Sequence, residues 1–371
     1  MPLLFEPLDI GPLHLDNRIV IAPMCEYSAE DGSAQDWHMI HLGSLALSGA
    51  GLMILEATAV SPEGRISPGD LGLYNAQNET ALARVLGALR KHSAMPVAIQ
   101  LSHAGRKGSS KAPWEGGAQI LPDEPDGWKT EGPSDIPHAE GEDAPLMLDA
   151  EGLARVREDF VAAARRAEAL GLQGIELHMA HGYLLHQFLS PLSNRREDDY
   201  GGSLENRIRF PVEVFEAVRA AVSPQIPVWV RVSATDWVPG GWDVEGTVTL
   251  CKALGAAGCA AVHVSSGGLS PRQKIALSPG YQVDFARRIK QETGLPTIAV
   301  GLITEAGQAE EILRSEGADA IALARAILYD PRWPWHAAAE LGAQVSAPPQ
   351  YWRSQPREQK DLFAGASVGQ R

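Results

Sequence analysis

His178, His181 and Tyr183 stand close together at the end of an apolar run, in the order His178-Met-Ala-His181-Gly-Tyr183. Two imidazoles that converge on one point can bind a metal or donate two hydrogen bonds to an oxygen. A phenol beside them is a weak acid, with an ordinary pKa of about 10, and suits late proton donation to a developing carbanion. Residues three apart on a strand point to opposite faces, so both histidines reach one site only if the chain turns after His178. Gly182 permits such a turn. Two unrelated, satisfied histidines and a half-buried tyrosine would produce the same spacing. A metal would need a third ligand, and Glu176 is a candidate with the same strand parity as His178. The spacing matches no zinc signature, however, so no metal is expected.

Cys25 follows Ala22-Pro23-Met24 at another strand end, with Tyr27 two residues on. A thiol there can be a nucleophile, a redox group or a small core residue. The other cysteines, Cys251 and Cys259, form no Cys-x-x-Cys pair with it or with each other, which excludes a dithiol mechanism. Two further strand ends, Ile298-Ala-Val-Gly301 and Ile321-Ala-Leu-Ala324-Arg325, suggest phosphate binding. Gly301 lets the backbone approach closely and Arg325 adds charge. Neither a dinucleotide fingerprint nor a Walker loop is present, so a phosphate would bind as part of a mononucleotide.

These side chains must be positioned by something, and the sequence pattern shows what. Eight short apolar runs recur: 18–23, 51–57, 96–101, 174–179, 227–232, 260–265, 296–301 and 318–324. Their lack of polar alternation marks strands buried on both faces. Between them lie helical stripes, such as Leu153, Val156, Phe160, Ala163, Ala167 and Leu170 behind a cap at Asp149. Leu82 to Leu89, Phe210 to Val218 after Ser203, and Ala306 to Leu313 after a cap at Thr304 repeat the pattern. Strictly alternating strands and helices favour a (β/α)8 barrel, with a doubly wound open sheet as the alternative. The reactive residues gather where barrel enzymes place them, at the C-terminal strand ends. Residues 1–17 can form a hairpin closing the barrel's bottom. Residues 102–148, rich in Pro and Gly, make an insertion after strand three long enough for a lid or binding element. Residues 1–356 read as one domain, and 357–371 as a polar, frayed, disordered tail.

Composition narrows the function classes. The chain has 371 residues and a formal net charge of −14, from 32 Lys+Arg against 46 Asp+Glu. That argues against broad contact with nucleic-acid phosphates. No uninterrupted apolar segment approaches the roughly 18 residues of a membrane span. Glu6 and Asp9 fall where a secretory signal would be basic and then apolar, so a cytoplasmic location is expected.

Five motifs together resemble the old yellow enzyme family, in its thermophilic-like class. They are Ala22-Pro-Met-Cys-Glu-Tyr27, Gln100-Leu-Ser-His-Ala-Gly-Arg-Lys107, His178-Met-Ala-His-Gly-Tyr183, the stretch Asn194 to Arg207, and Ala324-Arg325. The resemblance runs from about residue 3 to 356 and implies a (β/α)8 barrel holding non-covalent FMN. It implies an NAD(P)H-dependent ene-reductase acting on small alkenes activated by a carbonyl or nitro group. By the same resemblance, Ala22, Pro23, Met24 and Cys25 would line the flavin. Ala57, Gln100 and Arg231 would contact its ring, and Gly301, Ala324 and Arg325 its phosphate. His178 and His181 would grip the substrate oxygen, Tyr183 would protonate it at carbon, and Tyr27 would help hold it. Cys25 would adjust potential and fit without covalent attack.

Some positions depart from the family's pattern. Glu26 stands where relatives often carry Gln, and would repel anionic substrates if it faced the site. Leu302 replaces a Trp of some relatives and implies a roomier wall. Gln350-Tyr-Trp352-Arg353 resembles a tail that reaches a neighbouring subunit's site, which implies a homodimer or homotetramer with Trp352 or Arg353 in contact. Competing readings are a dienoyl-CoA reductase, which the three scattered cysteines oppose, a metal-dependent hydrolase using the histidines, and a flavin-binding sensor.

Overall fold

A computed structural model describes residues 1–367. The eight apolar runs are eight parallel strands: β3 (Ile19–Ile21), β4 (Leu52–Ala59), β5 (Val97–Ser102), β8 (Gly174–Met179), β9 (Val228–Ser233), β10 (Val262–Ser265), β11 (Thr297–Ala299) and β12 (Ala320–Leu323). Pairing of β12 with β3, Ile321 beside Ile19 and Leu323 beside Ile21, closes the ring. That contact decides for the barrel over the open sheet. Every residue of these strands is buried, inside the ring or under the helices, which is why they lack polar alternation.

The N-terminal segment forms the hairpin of β1 (Leu8–Ile10) and β2 (Leu13–Leu15). Its turn residue Gly11 packs on Pro227 and Ala260, at the starts of β9 and β10, so the hairpin covers the bottom of the barrel. The insertion after β5 is ordered. It holds two short 3-10 turns and a small parallel sheet of β6 (Glu131–Gly132) and β7 (Leu146–Met147).

Around the barrel lie α1 (Asp36–Ala46), α2 (Ala76–Leu89), α3 (Ala150–Ala169), α4 (Leu184–Leu189), α5 (Leu204–Ala221), α6 (Val244–Ala256), α7 (Val283–Thr293), α8 (Ala306–Arg314), α9 (Arg325–Tyr329) and α10 (Trp333–Leu341). Asp149 caps α3 through the Gly152 N–H, and Ser203 caps α5 through the Asn206 N–H. The expected cap at Thr304 is corrected: Glu305 is the N-cap of α8 and makes no side-chain cap bond. Gln308 reaches back to accept from the Thr304 N–H at 3.1 Å, while Thr304 O is taken by the Trp333 indole at 2.7 Å. The expected fray from residue 357 is also corrected. Leu362 and Phe363 are buried, Phe363 pairs with Val345 and packs edge-on against Trp335. Apolar burial outweighs the polar composition up to that point; residues 368–371 lie outside the described part. Among the described residues, no helix is long and apolar enough to cross a membrane.

Candidate active site

β8 carries His178 to the mouth of the barrel, and the chain then turns sharply. His181 (φ 58°) and Gly182 (φ 77°) both adopt the left-handed conformation. At Gly182 a Cβ would lie 2.3 Å from Gly268 O, so only glycine fits. His181, a non-glycine residue in that conformation, is held there from outside. Its N–H donates to Ser233 Oγ at 2.9 Å, and Ser233 Oγ donates to Gly267 O at 2.8 Å. Lys107, from the insertion, donates to His181 O at 2.8 Å and Gly268 O at 2.9 Å. The turn thus brings His178 Nε2 to 3.3 Å from His181 Nδ1, with ring planes at 85°. Tyr183 stands edge-on to His178 at 4.9 Å between ring centres, and Lys107 Nζ lies 5.1 Å from the Tyr183 ring.

Electrostatics here follow from burial. Loss of hydration, and then the Arg231 charge, push both imidazoles well below their ordinary range, so both are neutral. Burial pushes the Tyr183 phenol well up, and Cys25, Tyr27 and Asp70 add to it, while Arg231 partly offsets them. Burial, with Arg106 beside it, lowers Lys107 to about 8.

A second group faces this one. Cys25 and Tyr27 follow β3, and Tyr27 is in the left-handed conformation (φ 48°). Burial, then the charges of Asp70 and Glu56, push the Cys25 thiol up, and the Ala57 N–H partly offsets this. Tyr27 is raised by burial and by Cys25. Glu56 occupies the register shift of β4 against β5, between Leu55 and Ala57. A bulge of this kind turns one side chain out of the alternation. Its carboxylate accepts from the Glu26 N–H at 3.0 Å and lies 3.3 Å from His38 Nε2. Asp70, buried and accepting from the Ile66 and Ser67 N–H groups, is raised by burial to about 7. Glu26 itself turns away: its carboxylate takes the Trp37 indole N–H at 2.9 Å and lies 3.4 Å from His41 Nε2. Its expected role of repelling anionic substrates therefore has no geometric basis. Beside Tyr27 a groove of about 820 Å³ opens under the insertion, lined by Trp114, Lys111 and Ile120.

Between the two groups, the barrel interior is polar and centred on Glu176. Glu176 accepts from Gln100 Nε2 at 2.7 Å and from Trp229 Nε1 at 2.7 Å, and pairs with His263 Nδ1 at 2.9 Å. Both its oxygens are committed, and no group of three metal-ligating side chains is assembled among the described residues. Gln100 lies level with Ala57 across β4 and β5, and Arg231 level with His178 across β8 and β9. Arg231 Nε is buried with no hydrogen-bond partner among the described residues. It lines a cavity of about 180 Å³ with Gly301, Leu302, Ala324 and Arg325. Gly301 has a left-handed φ of 117°, and a Cβ there would lie 2.5 Å from Gln282 Nε2, so both backbone and neighbour favour glycine. Ala22 and Pro23 are buried and Met24 half-buried at the end of β3.

Trp352 and Arg353 are not brought to this site by their own chain. They lie on a 3-10 turn, Pro349–Ser354, after a segment that packs beside Gly49 and Ala50 at the bottom of the barrel. The Trp352 indole donates to Ala347 O at 3.0 Å, and Arg353 is exposed. Missed by sequence reasoning were Lys107, Asp70 and Glu56. An acid inside an apolar run was a signal for Glu56, and Lys107 lay inside a quoted motif. Asp70 sits in an ordinary loop and gives none.

A family model described as the NADH:flavin oxidoreductase / NADH oxidase family matches residues 3–344. An NADPH dehydrogenase of Geobacillus thermodenitrificans is 44% identical over 353 residues, covering 95% of this chain and 98% of the relative. One of Listeria monocytogenes is 44% identical over 356 residues, with 95% and 99% covered. Among solved structures, morphinone reductase superposes with a TM-score of 0.76 at 29% identity, covering 99% of this chain and 94% of its own. The orphaned Arg231 donor and the glycine-floored cavity fit a group with a polar ring and an anionic tail, as FMN has. On these grounds the chain belongs to the NADH:flavin oxidoreductase / NADH oxidase family, the old yellow enzyme family, and is an FMN-dependent NAD(P)H oxidoreductase built on a (β/α)8 barrel.

Proposed function

We propose that this oxidoreductase is an ene-reductase, acting on C=C bonds conjugated to a carbonyl or nitro group. The observation that carries this is the pair of neutral, buried imidazoles 3.3 Å apart beside a protonated phenol. Bound FMN would supply the two-electron chemistry, accepting from NAD(P)H and reducing the β-carbon of the alkene. Ala22, Pro23, Met24, Cys25, Ala57, Gln100 and Arg231 would hold its ring, and Gly301, Ala324 and Arg325 its phosphate.

His178 and His181 hold the acceptor oxygen, where negative charge grows as the β-carbon is reduced. Fixed donors in a water-poor site stabilise such charge strongly, one donor being worth roughly 3–4 kcal/mol. Tyr183 gives its proton to the α-carbon. Its raised pKa keeps it protonated at neutral pH, so the proton is available when needed. Cys25 remains a thiol for the same reason and shapes the site without attacking. Tyr27 and the groove beside it take the rest of the substrate. Nicotinamide and alkene use one site in turn, which gives ping-pong kinetics. Trp352 or Arg353 of a second copy would complete the site in a homo-oligomer. A dienoyl-CoA reductase, a hydrolase and a sensor gain no observation here.

The test is anaerobic. Enzyme reduced by NAD(P)H is mixed with 2-cyclohexenone and the return of the yellow colour is followed. Rapid return with formation of cyclohexanone is expected. Return no faster than without enone ends the proposal.

A further inference from the structure

In the arrangement described, the two histidines cannot both donate to an incoming oxygen. The Ala180 N–H donates to His178 Nδ1 at 3.2 Å, so that nitrogen carries a lone pair. In the neutral ring the hydrogen is then on Nε2. His178 Nε2–H points to His181 Nδ1 at 3.3 Å, which must therefore accept. His181 in turn carries its hydrogen on Nε2 and donates to Ser265 Oγ at 2.8 Å. Ser265 Oγ donates onward to Gln282 Oε1 over a long 3.4 Å. Gln282 is anchored independently, since Oε1 accepts from Ser266 Oγ at 2.6 Å and Nε2 donates to Val300 O at 2.7 Å. The hydrogen bonds run in one direction, from His178 to Gln282.

An acceptor oxygen has one way to meet both rings: between His178 Nε2 and His181 Nδ1. The other nitrogen of each ring is engaged inside the fold. The oxygen needs two hydrogens there and finds one.

We propose that His181 changes tautomer when an acceptor oxygen binds, and that Ser265 is the positioning residue that sets the new tautomer. This rests on the ene-reductase reading above. One proton leaves His181 Nε2 and one arrives at Nδ1, exchanged through solvent, so the ring stays neutral and the atoms balance. The Ser265 hydroxyl reverses. It gives up its long contact with Gln282, which Ser266 still satisfies, and donates to His181 Nε2. A serine can make this reversal because its hydroxyl is both donor and acceptor. The clamp therefore forms its second donor only around an oxygen that asks for it.

Nitrogen-15 NMR of histidine-labelled holoenzyme tests this, with 4-hydroxybenzaldehyde as the oxygen probe. His181 is expected as the Nε2–H tautomer without the phenol and as Nδ1–H with it, while His178 remains Nε2–H. A His181 that keeps one tautomer while the phenol shifts His178 overturns the proposal but leaves the ene-reductase reading standing. A phenol that shifts neither ring overturns both. Ser265→Ala should weaken phenol binding by about tenfold, the worth of one hydrogen bond. It should slow reoxidation by enone, and Ser265→Thr should restore both. Unchanged phenol affinity in Ser265→Ala overturns the proposal. The NMR measurement uses the unaltered chain, so it decides the matter even if Ser265→Ala fails to fold or to hold FMN.

Discussion

The wall of the barrel mouth built on β8 and β9 and the one built on β3 and β4 carry opposite chemistry. β3 and β9 lie four strands apart in a ring of eight, so the two walls face each other. On the first, His178, His181, Arg231 and the neighbouring Lys107 are all basic, and burial lowers each of them. On the second, Cys25, Tyr27 and Asp70 are all acidic, and burial raises each of them. Crowding like groups out of water makes each wall suppress its own charge. The result is a pair of neutral imidazoles beside the Arg231 and Lys107 cations, facing a protonated thiol and phenol. That is a site fitted to hold an oxygen that becomes charged only during the reaction.

If the donor wall is where catalysis happens, its removal has the largest effect. His178→Ala with His181→Ala should slow enone-driven reoxidation by about 10⁴-fold, the product of two donors each worth about 10² or more. FMN content should persist, read from absorbance. A loss under tenfold would break the division of labour between the walls.

Tyr183→Phe should slow the same oxidative step by roughly 10²–10³-fold at neutral pH, the usual worth of a positioned acid. Reduction by NAD(P)H should be unaffected. An unchanged oxidative rate would move proton delivery to another group.

The acidic wall is tested through stability. Asp70 has a folded pKa of about 7, against about 3.9 for a free Asp. The folded chain holds this proton more tightly than the unfolded chain does. The contribution is full below about pH 4 and is lost as pH rises through about 7. Asp70→Asn should therefore flatten the fall in stability between pH 4 and 7, by about 4 kcal/mol, in denaturant melts at several pH values. Equal slopes in the two proteins would mean Asp70 is ionised throughout.

Lys107→Met should have the smallest effect, about tenfold on enone reduction, by loosening the His181 turn and removing a charge near the Tyr183 ring. Lys107 titrates near 8, so the oxidative rate of the unaltered protein should fall as pH rises through that value. The Lys107→Met profile should be flat there, and a surviving inflection would assign it elsewhere.

Much of this was legible without coordinates. Strands buried on both faces must be apolar throughout, so the eight runs announced themselves. Asp149 and Ser203 declared two helix starts, because a short polar side chain before an apolar stripe has few other uses. Thr304 misled because the helix starts one residue later, at Glu305, which makes no side-chain cap bond, while Gln308 holds the Thr304 N–H. The polar composition after residue 357 concealed Leu362 and Phe363, whose burial depends on Trp335 and Val345, partners near neither in sequence.

The order of residues alone determined which elements form and which reactive groups ride at their ends, because hydrophobic period and local hydrogen bonding are short-range properties of the chain. Closure of the ring, the walls' opposed charge balance, and the hydrogen-bond path from His178 to Gln282 were decided by tertiary structure. Each depends on groups far apart in the chain meeting in a space from which water is excluded, and in such a space burial outweighs a side chain's ordinary acidity.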